Sequence, residues 1–137
     1  MKFKGLHLFF VLFLLCSFSS RASFVLLPME AGGQQNHLKA YGITYWALDK
    51  SYKVSWLLNY RGGSFLLPDA PEIRKECQIR GVTFEVLSDV ATNSILEDIS
   101  SPSQNMETVV LEKAPKIAVY TPKGKQPWDD AVTMVLT

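Results

Sequence analysis

The group best placed for chemistry is Arg61, within the run Asn59-Tyr60-Arg61-Gly62-Gly63-Ser64. A guanidinium forks two N–H donors onto a carboxylate or a phosphate. Paired glycines permit positive φ and let backbone amides approach a ligand closely. Asn59, Arg61, Gly62, Gly63 and Ser64 therefore form a candidate binding loop for a small anionic ligand. The competing reading is a tight turn with a solvated arginine, since two glycines are common turn punctuation.

The remaining reactive side chains do not assemble into a known motif. The two histidines are His7 and His37, one of them in the N-terminal leader, which argues against a Ser-His-Asp triad in this segment. His37 has no Cys, His or carboxylate at ligand spacing, so no metal ligand is expected. Zinc spacings, H-E-x-x-H, G-x-S-x-G and G-x-G-x-x-G are all absent. Gly124-Lys125 runs into Gln126 and lacks the earlier glycine of a P-loop, so Lys123 and Lys125 read as solvated loop lysines. Asp129 and Asp130 point ~100° apart on a helix and read as helix-start charges. Cys77 shares helical spacing with Ala70, Ile73 and Arg80 and is expected as a small buried hydrophobe. No catalytic residue and no cofactor is nominated.

The leader has the pattern of a secretory signal. Lys2 and Lys4 precede a nearly continuous apolar run from Leu6 to Phe18, and Ser20-Arg21-Ala22 offers small residues for cleavage after Ala22. The run is shorter than the ~20 residues a spanning helix needs. Residues 1–22 are thus expected to be removed, giving an exported chain, periplasmic or extracellular, with no membrane association after cleavage. About 115 residues remain, enough for one ordinary domain. Loss of Lys2, Lys4 and Arg21 takes the formal charge from +1 to −2, which gives no electrostatic case for nucleic acid. Cys77 is then the one cysteine left, so packing rather than a disulfide must hold the fold.

The elements that position the loop follow from periodicity and punctuation. Ser23 to Leu27 reads as a strand stopped by Pro28. Leu38, Tyr41, Tyr45 and Leu48 fall on one face of a helix that Asn36 is placed to cap. Val54 to Leu58 is an apolar run of the kind buried on both faces of a parallel sheet. A second helix opens at Pro68-Asp69-Ala70-Pro71-Glu72 and ends at Gly81. Val82 to Leu87 reads as a strand, and Ser88 or Asp89 starts a third helix with Ile95, Leu96 and Ile99 inward. Alternation of strand and helix predicts an α/β fold with a mostly parallel sheet. Val109 to Leu111 adds an edge strand, closing a small α/β domain over residues 23–112. Residues 113–137 then form a linker and a strand-loop-helix unit. The strand is Lys116 to Tyr120, and the helix has Trp128, Ala131, Val132 and Val135 on its inner face. That helix meets Thr137 without glycine, cap or polar tail, so a continuation beyond it is expected.

Four stretches are similar to one family: Leu38 to Leu48 (L-K-A-Y-G-I-T-Y-W-A-L), the W-L-L-N-Y-R-G-G-S-F region, Cys77 to Leu87 (C-Q-I-R-G-V-T-F-E-V-L), and Lys113 to Leu136. Together they resemble the N-terminal part of exported bacterial proteins labelled asparagine synthetase B. The resemblance spans nearly the whole mature chain. It implies that the last unit opens a second α/β domain resembling a class I glutamine amidotransferase. The pyrophosphate motif S-G-G-x-D-S of true synthetases has its nearest counterpart in Arg61 to Phe65, which lacks the leading serine and the aspartate.

Three functional expectations follow. The first is a binding or accessory module that holds a small anionic ligand or an envelope protein partner at Asn59 to Ser64. The second is the N-terminal part of an amidotransferase-like enzyme whose active groups lie beyond Thr137 or at that loop. The third is a structural envelope protein whose aromatic face of Tyr41, Tyr45 and Trp46 packs on a partner.

Overall fold

The computed structural model describes residues 23–118. The leader, and the helix expected after residue 126, lie outside the described residues. So do residues 119 and 120 of the strand expected at Lys116 to Tyr120, and its described part, Lys116 to Ala118, is not in a strand. The order of elements is β1 (Ser23–Leu27), α1 (His37–Asp49), β2 (Val54–Leu58), β3 (Phe65–Pro68), α2 (Pro71–Arg80), β4 (Glu85–Ser88), α3 (Asp89–Ser100) and β5 (Glu107–Leu111). The five strands form one sheet in the order β4-β1-β3-β2-β5. Every pairing in it is antiparallel. The first six elements make the βαββαβ, or split βαβ, arrangement known as ferredoxin-like. α3 and β5 extend it past β2.

The alternating side chains of β1 and β3 enter two separate cores. Val25, Leu27, Phe65 and Leu67 meet Ala40, Ile43 and Ala47 of α1 and Ile73 and Cys77 of α2. Leu26, Leu57 and Leu66 meet Ile99, Ile95 and Leu96 of α3 on the opposite face. The sheet is thus covered by two helices on one side and by one on the other.

This architecture corrects the expectation of a mostly parallel sheet. An apolar run without alternation signals burial on both faces, which is common in parallel sheets. Here α3 covers the second face of an antiparallel sheet and produces the same signal. The unrecognised element is β3. The glycine turn does not lead into a helix; it closes a hairpin that returns Phe65-Leu66-Leu67-Pro68 between β1 and β2. That inserted strand separates β1 from β2 and makes every neighbour antiparallel.

Local signals at the helix ends are mostly met. Pro71 opens α2, and Gly81 closes it in the left-handed conformation at φ 66°. The Ser88 hydroxyl accepts from the Ala91 amide at 3.3 Å and caps α3. Asn36 departs from expectation. Its side chain makes no cap bond and instead donates to the Gly81 carbonyl at 2.7 Å, joining the start of α1 to the end of α2. The inward face of α1 is also rotated from the expected one: Ala40, Ile43, Thr44, Ala47 and Leu48 are buried, while Leu38, Tyr41 and Tyr45 are exposed.

The hairpin turn packs onto the segment after β1. Gly62 has φ 78°, and a Cβ there would stand 2.6 Å from the Met29 carbonyl carbon and oxygen. Gly62→Ala is therefore expected to destabilise the domain by about 2–4 kcal/mol through combined strain and overlap. Gly32, with open space around its Cα, serves as the control, and Gly32→Ala should cost less than about 0.5 kcal/mol. Urea unfolding midpoints of the two variants check the contrast.

Candidate functional site

The five residues nominated from the sequence do lie together, in the turn between β2 and β3. Asn59, Arg61, Gly62 and Gly63 all have positive φ, at 59°, 44°, 78° and 86°. For asparagine and arginine this region is uncommon and has to be held by surrounding contacts. Those contacts are supplied from within. The Gly63 and Ser64 amides both donate to the Tyr60 carbonyl at 3.0 Å. The Ser64 hydroxyl donates to the Arg61 carbonyl at 3.0 Å, and Asn59 Nδ2 donates to the Asn105 carbonyl at 2.7 Å. Trp56 Nε1 donates to the Gly63 carbonyl at 3.1 Å, fixing the turn to β2.

Arg61 carries the electrostatics of the turn. Its Nε and Nη2 donate to the Glu30 carboxylate at 2.6–2.9 Å. Its Nη1 and Nη2 donate to Glu85 at 3.0 and 2.7 Å. One guanidinium thus forks onto two carboxylates from separate elements, the loop after β1 and strand β4. The Met29 amide donates to the Arg61 carbonyl at 3.1 Å and completes the join. The hydrogen bonds from Arg61 hold the Glu30 carboxyl below its ordinary value. Glu85 first, and Glu30 after it, push the guanidinium further up. The two carboxylates leave the cluster with a net negative charge, which opposes a further anion at the arginine and favours its role as a joint.

The other side chains with chemical potential are similarly engaged. His37 Nε2 lies 3.1 Å from the Met29 carbonyl. The Ser23 hydroxyl donates to Asp69 at 2.6 Å, and Arg74 Nε stands 3.3 Å from the same carboxylate. Tyr52 donates to Glu72, which raises the phenol's pKa. Cys77 is fully buried, and its thiol is pushed up to about 11 by desolvation, which suits packing and not nucleophilic attack. Among the described residues no group of three His, Cys, Asp or Glu side chains is placed to hold a metal ion.

A concave surface among the described residues lies elsewhere. A cleft of about 640 Å³ opens between α1 and the β5 side of the sheet. Tyr41, Tyr45 and Leu48 of α1 form one wall, Val110, Leu111 and Pro115 the other, and Trp56 and Phe65 the floor. The rings are ordered. Trp56 and Phe65 stack at 6.1 Å with planes 21° apart, and Tyr41 meets Phe65 edge-on at 5.5 Å. Glu112 and Lys113 supply charge at the rim. Tyr41 and Tyr45, which share one helix face in the sequence pattern, are 49% and 44% exposed. The sequence did carry a signal for this surface, in the aromatic face that includes Tyr41 and Tyr45. Trp46, the third member of that face, packs against the core.

Comparison with family models, with curated proteins and with solved structures gives no match.

The geometry assigns Arg61 a measurable structural load. Arg61→Ala leaves Glu30 and Glu85 facing each other without their shared cation, and should cost about 1–3 kcal/mol once solvent screening is discounted. Arg61→Lys should recover less than half of that loss, because an ammonium cannot fork onto both carboxylates. The Glu30 carboxyl has a depressed folded-state pKa, so its stabilisation is complete above the ordinary value of 4.5 and is lost as pH falls through the folded value. Glu30→Gln is accordingly expected to lower the melting temperature at neutral pH. The gap to the parent should close as the pH drops well below 4.5. Thermal melts from pH 7 to pH 3 check both statements.

Proposed function

We propose that residues 23–118 act as a binding or accessory module of an exported protein, with the aromatic cleft between α1 and β5 as its recognition surface. The observation that carries this reading is the grouping of Tyr41, Tyr45, Trp56 and Phe65 in one cleft of about 640 Å³ with apolar walls. That volume is within the ~300–1,000 Å³ typical of binding clefts. Tyrosine and tryptophan offer large contact area with few rotatable bonds, which makes them effective anchors at interfaces. Leu38, 86% exposed one turn before Tyr41 on α1, lengthens the exposed apolar stripe of that helix. Isolated surface hydrophobes are ordinary, whereas a contiguous apolar patch marks an interaction site.

The surface suits an apolar polypeptide segment better than a small anion. Its floor and walls are mainly aromatic and aliphatic, and the basic group among its lining residues is Lys113. The glycine turn, with Arg61 committed to Glu30 and Glu85, then serves as the rigid corner of the module.

A photoreactive benzoylphenylalanine placed at Tyr45 in the intact chain tests the reading. A matched probe at Val90, 80% exposed on α3 across the sheet, is the control. Irradiation in the native envelope should give a polypeptide adduct from position 45 several times more often than from position 90. Equal yields from the two positions would overturn the proposal.

A further inference from the structure

We infer that the occupant of the aromatic cleft is the chain's own following segment, residues 119–137, with the stripe Trp128, Ala131, Val132 and Val135 seated against α1 and β5. The inference rests on the reading of the cleft as a recognition surface and names its partner.

Three observations carry it. The first is proximity. Leu111, Glu112, Lys113 and Pro115 line the cleft, so the described chain leaves the domain along the cleft's own wall. Residue 119 begins only four positions after Pro115, within ~13 Å of it even at full extension. Residues 116–126 can span up to ~36 Å, enough to carry the next apolar stripe back across the cleft. A tether of that length gives a local concentration in the millimolar range, which a free partner seldom matches.

The second observation is a match of unpartnered surfaces. The pattern at positions 128, 131, 132 and 135 describes a short amphipathic helix, opened by Pro127 and by Asp129-Asp130 in its first turn. A helix of about ten residues is not stable in water without a surface to bury its apolar stripe. On α1, Leu38, Tyr41 and Tyr45 form an exposed stripe with no cover among the described residues. Residues 127–136 and the stretch Leu38–Leu48 each measure ~15 Å along a helix, so the two stripes agree in length.

The third observation is chemistry. Trp128 provides the large planar side chain that an aromatic floor of Trp56 and Phe65 accommodates. Lys113 on the rim offers the opposite charge to Asp129 and Asp130.

Paired cysteines in the full chain test the assignment. Cys77 is buried and stays in place. With Tyr45→Cys and Val132→Cys, oxidation should form an intramolecular disulfide at least about tenfold faster than with Val90→Cys and Val132→Cys, as the effective concentration of a docked segment requires. Hydroxyl-radical footprinting gives a second readout. Val132→Asp, which leaves every residue of the two described clusters unchanged, should raise the oxidation of Tyr41 and Tyr45 severalfold while the melting transition persists. Equal disulfide rates for the two pairs, unchanged tyrosine oxidation, or a disulfide formed only between two chains would overturn the inference. A benzoylphenylalanine adduct from position 45 that maps to a different protein would also overturn it, and would leave the module reading standing.

Discussion

The structure depends on burying both faces of β1 and β3 at once. These two central strands contribute side chains to both hydrophobic clusters. Each fully buried Leu, Val or Phe contributes about 1.5–3 kcal/mol relative to exposure, and that gain requires a helix on each side of the sheet. α1 and α2 supply the first cover and α3 the second. The ferredoxin-like core alone would leave Leu26, Leu57 and Leu66 facing water. The continuation through α3 and β5 therefore completes the sheet, closing one face with a helix and capping the β2 edge with a strand.

The turn between β2 and β3 is the corner on which that sheet is aligned. β3 reaches its place between β1 and β2 only if the hairpin reverses within six residues, and the reversal demands positive φ at Asn59, Arg61, Gly62 and Gly63. Glycine accepts this geometry freely, while arginine does so at a cost. The cost at Arg61 is offset by its contacts with Glu30, Glu85 and the Met29 amide. One side chain thereby joins the hairpin, the loop after β1 and strand β4. The feature that suggests a ligand clamp in the sequence is, in three dimensions, a clamp between parts of the same domain.

The aromatic cleft arises from the same packing. α1 buries Ala40, Ile43, Thr44, Ala47 and Leu48. Its larger tyrosines are displaced outward, where they meet Trp56 and Phe65 of the hairpin. The buried face of α1 and its exposed aromatic face are two results of one helix rotation.

The apolar strands β1 and β2, the helix ends at Pro71, Gly81 and Ser88, the tightness of the glycine turn and the burial of Cys77 are legible in the order of residues alone. These are local properties, set by propensity, capping and backbone freedom within a few residues. Strand direction, the hairpin partner β3, the rotation of α1 and the commitment of Arg61 were decided only by tertiary structure. A two-faced apolar run reads the same in a parallel sheet and in an antiparallel sheet covered on both sides. The periodicity of Leu38, Tyr41, Tyr45 and Leu48 fits a core face, yet the neighbouring stripe of smaller residues packs closer to the sheet. Glu30 and Glu85 stand 31 and 24 residues from Arg61 along the chain, so nothing local to the turn reveals that its charge is already satisfied.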